Sequence, residues 1–562
     1  MGKFTVNFNS EIPVKQLLKV SVLSGLILGL IAFGIFTCWP YCLKAPTPDE
    51  STFLYEGLLT AKGKLPYRDF FDFIWPGTFY LVAWLIQFSG GLSIVVVRVF
   101  TIAVLLTSGA LTLIMGRAYL PKRWLCLLAG LFWMLHFPAS IQVQHHILSS
   151  FMGIVAVFCL WKTIGKDQLS RSYLISSGLA LSACTLFTQS LGIILILLMS
   201  GVVFSRALSQ GASAVKQAMP LFAAAILTPI LFTFGFFMWH HAWGDFWYGT
   251  SVWLFHGGYI QTSNHLFFFE IYPRLLTFFQ TPHPSAADCM YFLLNLLYLI
   301  LPVLGLCSGL TYCPRLLRRQ NINPQDWELF LLFAATLGFL ASTLSHSSFY
   351  HMAYNGWIPF MLGSVILAPL LRRIPKVETA LLALMFVLFF ITGVQQLRES
   401  FQIRALPMVR SFGTQERQLY WLQPDFRDTA NVNQMLETIH QLSPPGDSLF
   451  VYNLAPEFYL LTNRDNPSRF QLLMAVLDTP AQIKEVTDAL TLKKPMFILY
   501  EHQDERFFQA EAQATHSPII NYHLLPLEQV IQQHYTLFSR FSRYELYIEQ
   551  SALAKLQSSG EI

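Results

Sequence analysis

The chain of 562 residues is 54% hydrophobic and only 12% charged, and its mean hydropathy is +0.46. Soluble domains carry about 25% charged residues, so this composition excludes an ordinary soluble protein and indicates a polytopic membrane protein. The net charge of +5 arises without a basic run of the kind that binds nucleic acid. The eight cysteines show no zinc-type pairing. Cys38 and Cys42 lie close together in sequence, so a disulfide between them is one alternative. Ordinary packing of the two thiols is the favoured interpretation.

Long apolar runs recur along the first two thirds of the chain, each close to the roughly 20 residues that a helix needs to cross the hydrocarbon core. The first run follows a polar N-terminus and lacks a cleavage motif, so we expect an uncleaved anchor. The pattern predicts eleven transmembrane helices, at residues 20–36, 99–119, 124–139, 147–163, 173–188, 191–205, 218–239, 290–313, 327–344, 357–371 and 377–394.

The Lys and Arg residues of the connecting loops predict the orientation of the chain. They occur in alternate loops, whereas the short loops at 140–146, around Gln189 and at 345–355 carry none. The positive-inside rule therefore places the N-terminus in the cytoplasm and everything after Val394 outside, in what we expect to be a bacterial inner membrane. Counting the apolar residues 78–88 as a span would invert every later loop, so we expect an interfacial helix there.

The composition divides the chain into two domains. Residues 1–397 are predicted to form the transmembrane domain, with a large first outer loop at 38–97 and another outer loop at 240–288. Residues 398–562 return to a soluble composition and predict an extracytoplasmic, periplasmic α/β domain. In that domain the patterns predict strands at 448–453, 496–500 and 544–548 and helices at 481–492 and 527–534.

The first outer loop is the place where we look for chemistry. Acidic residues are scarce elsewhere in the first two thirds of the chain but cluster between positions 46 and 76, where they are Asp49, Glu50, Glu56, Asp69 and Asp72. Asp69 and Asp72 are expected mainly to cap or brace the loop.

Asp49 is the candidate general base. A carboxylate near the membrane interface can remove a proton from an acceptor hydroxyl or amine. Burial beside Glu50 would raise the pKa of Asp49, and Arg68 would offset that rise. The alternative is a solvated acid on a surface loop.

Four motifs then follow one another: P-D-E at 48–50, G-K-L-P-Y-R-D-F at 63–70, W-P-G-T-F-Y at 75–80 and S-I-V-V-V-R at 93–98. Their order resembles the first outer loop of GT-C-fold glycosyltransferases, in particular the bacterial relatives of protein O-mannosyltransferases and of the lipid A aminoarabinose transferase. The resemblance implies an enzyme that takes a sugar from a polyprenyl phosphate and inverts its anomeric centre, with Asp49 as catalytic base and Glu50 as its neighbour. Residues 448–464 resemble the strand, helix and arginine of that family.

The chain departs from the family at three places. Trp75 stands where the aminoarabinose branch has a lysine that helps to hold the donor phosphate, and Thr52 stands where that branch has a basic residue. The next outer loop reads Q-V-Q-H-H at 142–146, where related mannosyltransferases carry a second acid. Other groups must therefore hold the donor phosphate.

Arg68, Arg98 and His351 are the candidates for the donor phosphate, because cationic groups stabilise the charge that develops on a departing phosphate. Asp69 and Tyr354, close to them in sequence, complete the predicted substrate-binding set. Arg98 begins a span and could instead anchor it by snorkelling to the interface.

The sequence thus predicts an inverting membrane glycosyltransferase that moves a hexosyl or pentosyl group from a polyprenyl-phosphate donor to a lipid, glycan or protein acceptor. The alternative is a non-catalytic scaffold of the same fold or a transporter of lipid-linked sugars, although the scarcity of ionisable residues within the spans disfavours transport. His145 and His146 are weak candidates for a metal site, and we expect no metal or other cofactor.

Overall fold

The computed structural model describes residues 34–562 except 35, 45, 137–140, 257–277, 281–285, 310–322, 344–348, 405–407, 410–420, 423–428, 444–445, 453–454, 472–478, 502–524 and 561–562. The predicted first span at 20–36 and much of the outer loop predicted at 240–288 therefore lie outside the described residues.

Helices make up nearly all of the described membrane region. In chain order they are α1 (Pro48–Ala61), α2 (Gly77–Phe88), α3 (Ile94–Gly116), α4 (Lys122–His136), α5 (His145–Ile164), α6 (Arg171–Phe187), α7 (Gln189–Gln210), α8 (Ala212–Trp239), α9 (Trp243–Trp247), α10 (Trp253–His256), α11 (Ala286–Cys307), α12 (Pro324–Thr343), α13 (Phe349–Asn355), α14 (Trp357–Leu371) and α15 (Pro375–Arg404).

Six of the described helices are long and apolar enough to cross a membrane, namely α3, α5, α7, α8, α12 and α15. Each has 20 residues or more, which at 1.5 Å per residue gives about 30 Å or more. The prediction of a polytopic helical protein is confirmed at this level. The count of eleven spans stays a prediction, because α4, α6 and α14 have only 15, 17 and 15 residues.

Helix α2 has 12 residues and occupies the segment predicted to lie at the interface. It is about 18 Å long, which is too short to cross the hydrocarbon core. It packs on α1 where Gly57 meets Val82, since a Cβ at position 57 would lie 2.3 Å from the Val82 side chain. Trp84 and Phe88 remain exposed on its other side, which is compatible with an interfacial helix.

The C-terminal domain, meaning here the described residues from Thr429 onward, contains the strands β3 (Leu449–Tyr452), β4 (Phe497–Glu501), β5 (Tyr535–Phe541) and β6 (Tyr544–Glu549). They form a four-stranded sheet in the order β3-β4-β6-β5. Strands β3 and β4 are parallel, whereas the β4–β6 and β6–β5 pairs are antiparallel. A two-stranded ribbon, β1 (Met408–Val409) with β2 (Trp421–Leu422), precedes the domain. The helices of the domain are α16 (Thr429–Leu442), α17 (Glu457–Thr462), α18 (Pro480–Lys493), α19 (Leu525–His534) and α20 (Gln550–Ser559).

The three strands and two helices predicted in this domain are confirmed as β3, β4, β6, α18 and α19. Every residue of β3 is buried, as expected for a parallel strand covered on both faces. The strand, helix and arginine of the resemblance correspond to β3, α17 and Arg464. Arg464 Nη2 donates to Ser443 O at 2.6 Å and to Ile439 O at 3.4 Å, so its cation sits at the C-terminal end of α16.

The C-terminal domain packs directly on the predicted first outer loop. Tyr55 of α1 stacks on Tyr459 at 4.8 Å between ring centroids, and its hydroxyl accepts from Asn466 N at 2.9 Å. Phe71 N donates to Arg469 O at 2.7 Å. The helix that begins with the P-D-E motif is therefore held between the membrane region and this domain.

Candidate active site

The first turn of α1 carries the two acids of the P-D-E motif. The Thr47 hydroxyl accepts from Glu50 N at 3.4 Å, and Pro48 occupies the first helical position. A threonine cap, a proline and two acids make a favourable helix start, because the cap binds a free amide and the acids face the positive end of the helix dipole. The same hydroxyl donates to Gln142 Oε1 at 2.8 Å, which ties this turn to the next outer loop.

Glu50 and Arg98 form a buried, bidentate ion pair. Arg98 Nε donates to Glu50 Oε1 at 3.0 Å and Arg98 Nη2 to Oε2 at 2.5 Å, while both side chains are at most 1% exposed. Glu50 Oε1 also accepts from Val143 N at 3.2 Å. Burying two charges costs desolvation free energy, and several hydrogen bonds to each charged group are needed to offset that cost.

Arg98 differs from both sequence-based expectations. Its remaining amino group donates to Tyr41 O at 2.7 Å and to Lys44 O at 2.5 Å, so Nε, Nη1 and Nη2 all bind protein acceptors. The side chain is buried rather than extended toward the interface, which corrects the snorkelling alternative. The same contacts disfavour a role for Arg98 in binding the donor phosphate. They also disfavour a role for Glu50 as the proton acceptor.

Asp49 is the carboxylate left free in this turn. Its side chain reaches solvent, and within the part of the chain that the structure describes no hydrogen bond or ion pair engages it. Protein nevertheless surrounds the group closely enough that desolvation raises the pKa of Asp49 above its ordinary value. The expected offset of this pKa by Arg68 is not seen.

A second pair of acids, Glu56 and Asp72, lies close enough to Asp49 for the Asp49 charge to act on Asp72. Asp72 Oδ1 accepts from Phe73 N at 2.5 Å and from Ile74 N at 2.9 Å, which confirms its bracing role. Burial raises the pKa of Asp72 to about 6 despite these bonds. Burial and the Asp72 charge raise the pKa of Glu56 well above its usual range. Both effects favour the protonated form of Glu56.

Gln471 of the C-terminal domain is hydrogen-bonded to the Glu56 member of this acid pair. Its side-chain nitrogen donates to Glu56 Oε1 and, at 3.0 Å, to Phe71 O. Sequence reasoning missed Gln471 and the backbone contact of Val143 because nothing local marks them. Their partners lie 415 and 93 residues away.

Arg68 and Asp69 lie away from Asp49, beyond the far end of α1. Arg68 Nε donates to Asp69 Oδ1 at 3.0 Å, and Asp69 Oδ2 accepts from Leu65 N at 2.7 Å. The Arg68 guanidinium accordingly lowers the pKa of Asp69. The expected bracing by Asp69 is confirmed. Both residues line a cleft of about 430 Å³ against the C-terminal domain.

The predicted histidines come together from two outer loops. His146 Nε2 lies 2.9 Å from His351 Nε2, and Tyr354 stacks over His146 at 6.2 Å between ring centroids. His145 Nδ1 lies 2.8 Å from the Thr188 hydroxyl. The cluster touches α1, because the Phe53 ring contacts the His145 ring edge-on at 5.6 Å.

Phe53 follows Asp49 by four residues, which places the two on one face of α1. Among the described residues no group of three or more His, Cys, Asp or Glu side chains could hold a metal ion. Cys38 and Cys42 are free, buried thiols, in agreement with the packing interpretation.

Solved structures provide the comparison. ArnT from Cupriavidus metallidurans bound to undecaprenyl phosphate aligns with a TM-score of 0.53 and 11% identity, over 93% of this chain and 98% of that chain. The chain has the fold of ArnT. The apo oligosaccharyltransferase of Archaeoglobus fulgidus aligns with a TM-score of 0.46 and 11% identity, over 96% of this chain and 75% of that chain. No protein-family model and no curated protein matches the chain. The likeness to ArnT confirms the resemblance to GT-C-fold enzymes at the level of the fold.

Proposed function

We propose that the protein is a membrane glycosyltransferase that moves a sugar from a polyprenyl-phosphate donor to an acceptor on the extracytoplasmic side, with inversion at the anomeric carbon. Asp49 accepts the proton of the attacking acceptor group. The observation that carries this proposal is the contrast within one helical turn: Glu50 is buried and fully paired, whereas Asp49 is accessible and has no partner among the residues that the structure describes.

The raised pKa of Asp49 suits a general base. A base works best when its pKa lies near the working pH, and ordinary aspartate is a weak base at neutral pH. Desolvation moves the pKa of Asp49 in the required direction. The Glu50–Arg98 pair fixes the turn that carries it.

The donor lipid is the second part of the proposal. ArnT was solved bound to undecaprenyl phosphate, and this chain spans nearly all of that protein. His351 is the best placed of the predicted phosphate ligands, because its contact with His146 brings it to the α1 face that carries Phe53 and Asp49. A protonated imidazole there would stabilise charge on the leaving phosphate.

Comparison of envelope glycans between a deletion strain and its parent identifies the sugar that depends on this protein. Re-expression of the wild-type chain should restore that sugar, whereas Asp49→Asn should not, at equal amounts in the membrane. Asp167→Asn is the matched control, since Asp167 is an exposed loop aspartate with the same chemical change. Full restoration by Asp49→Asn would exclude Asp49 as the base.

Binding of undecaprenyl phosphate separates the enzyme from the non-catalytic alternative. The purified full-length protein in nanodiscs should bind this lipid, and Asp49→Asn should bind it about as well because the base does not hold the phosphate. A chain that binds the lipid while its deletion leaves every envelope glycan unchanged would support the scaffold alternative.

A further inference from the structure

The cleft of about 430 Å³ between the first outer loop and the C-terminal domain contains no part of the proposed catalytic turn. One wall comes from α1 and the loop that follows it, through Tyr55, Lys64 and Arg68. The opposite wall comes from the C-terminal domain, through Arg469 and Lys493. Hydroxyl and amide side chains at positions 448, 466, 468 and 471 complete a predominantly polar lining.

Most of the charges in this cleft are already compensated. Three carboxylates line it, and each has a basic partner within ion-pair distance. The pairs are Arg68 with Asp69 at 3.0 Å, Arg469 with Glu485 at 2.7 Å, and Asp465 with Lys62 at 3.2 Å.

Lys64 and Lys493 are the two cations that remain, one on each wall. Both are exposed, and no carboxylate of the described residues forms an ion pair with either. Lys64 lies near Asp69, but that carboxylate is already bound by Arg68. Within the described part of the chain, Lys493 donates to the carbonyl of Pro467. A polar cleft with two uncompensated ammonium groups facing it selects for a hydrogen-bonding anion.

The cleft is separate from the reacting centre. Tyr55 follows Asp49 by six residues on α1, which is about 9 Å along the axis and a different face of the helix. A ligand in the cleft therefore cannot be the group that Asp49 deprotonates. It can be a remote part of a longer acceptor, whose binding contributes to specificity away from the chemistry.

We propose that this cleft binds a phosphorylated or carboxylated saccharide, which is the anionic glycan portion of the acceptor. Lys64 and Lys493 contact the anionic group, while the amide and hydroxyl side chains between them bind the sugar hydroxyls. The saccharide site is argued from the cleft alone. The statement that its ligand is part of the acceptor rests on the proposed glycosyl transfer.

The binding test uses the full-length protein in nanodiscs, with glucose 6-phosphate and galacturonic acid as probes and glucose as the neutral reference in ligand-observed NMR. We expect the two anionic probes to bind and glucose not to bind. Lys64→Glu/Lys493→Glu should weaken binding by about tenfold or more, whereas Lys64→Arg/Lys493→Arg should retain it. Lys484→Glu is the matched control, because Lys484 lies on the same helix as Lys493, pairs with Asp488 and does not line the cleft.

Unchanged binding in the double glutamate variant would overturn the proposal. Inorganic phosphate that binds as tightly as glucose 6-phosphate would show a simple anion site and would overturn the saccharide assignment.

A transfer test separates this site from the proposed function. In the deletion strain, Lys64→Glu/Lys493→Glu should reduce glycan transfer while leaving undecaprenyl phosphate binding intact. Normal transfer by this variant, alongside loss of transfer by Asp49→Asn, would overturn the acceptor role of the cleft alone. Loss of probe binding in the lysine variant together with normal transfer by Asp49→Asn would leave the cleft as a saccharide site and reject the catalytic proposal.

Discussion

Glu50 and Arg98 join the start of α1 to the start of α3 through two hydrogen bonds between fully buried charges. The pair also holds the next outer loop through Val143 N and the segment before α1 through Tyr41 O and Lys44 O. Four separate parts of the chain thus meet at one ion pair. The ion pair thereby positions Asp49, the residue that precedes Glu50.

Removing one partner of this pair should destabilise the protein strongly. We expect Glu50→Gln or Arg98→Met to cost about 3–5 kcal/mol, because each leaves a buried charge uncompensated. Replacing both with apolar residues (Glu50→Leu/Arg98→Met) should recover part of that loss. Thermal unfolding in detergent measures all three variants. Asp49→Asn is expected to unfold close to wild type, since no described residue pairs with the Asp49 carboxylate. Equal stability of Glu50→Gln and wild type would contradict the bracing role.

Transfer activity should depend on the protonation state of Asp49. A base works only in its deprotonated form, so the rate should fall as the pH falls through the pKa of Asp49. Because desolvation raises this pKa, the acidic limb should lie above the ordinary aspartate value of about 3.9. Initial rates against pH give the midpoint, and Asp49→Asn should lower the rate by about 10²–10⁴-fold and abolish the limb. An acidic limb that persists unchanged in Asp49→Asn would assign it to another group.

The architecture was predictable where the signal is local. The length and apolarity of α3, α5 and α8 predict spans directly. The shortness of the apolar run at 78–88, together with the charges of the later loops, predicts that α2 does not cross. In the C-terminal domain, β3 and β4 were found from their continuous apolar runs. Strand β5 was missed because its interior residues are partly or wholly exposed, so no buried run marks it.

The site was predictable only in part, for the same reason. The P-D-E motif and its neighbouring acids lie close together in sequence, which marks Asp49 as a candidate and allowed the bracing role of Asp72 to be predicted. The partners could not be predicted. In the sequence, Arg98 cannot be told from an arginine that anchors a span at the interface. Only the fold shows that Arg98 forms an ion pair with Glu50. Gln471 carries no sequence signal at all, because its role arises from the packing of a distant domain on α1.

The Glu56–Asp72 pair should make stability depend on pH. The pKa of Asp72 is raised to about 6 in the folded protein, against about 3.9 in an unfolded chain, so the folded state binds more protons in this window. Stability is therefore highest at or below about pH 4 with respect to this group and declines as the pH rises to about 6. Glu56→Gln should flatten the overall decline, because the raised pKa of Glu56 adds its own loss of stability as the pH rises and an amide does not titrate. Unfolding midpoints measured across the window test the prediction, and a decline of the same size in Glu56→Gln would contradict it.

Gln471→Ala should weaken the contact between the C-terminal domain and the first outer loop. The substitution leaves Glu56 Oε1 and Phe71 O without their donor, and an unsatisfied buried group costs about 1–3 kcal/mol. Limited proteolysis of the full-length protein should then cleave between α15 and α16 faster than in wild type. Gln434→Ala on α16 is the control, since its side chain is exposed and does not reach the loop. Equal cleavage of Gln471→Ala and the control would show that the contact does not hold the domain.

The positions of the basic loops predict the orientation of the chain, and single cysteines test this prediction. In a cysteine-free background, Asp49→Cys and Lys64→Cys should react with a membrane-impermeant maleimide in intact spheroplasts, because both positions are exposed and predicted to lie outside. Lys122→Cys, at the exposed start of α4 in a predicted cytoplasmic loop, should react only after permeabilisation. Labelling of position 122 but not of 49 in intact spheroplasts would invert the topology. It would also place the proposed base on the cytoplasmic face, away from a donor presented outside.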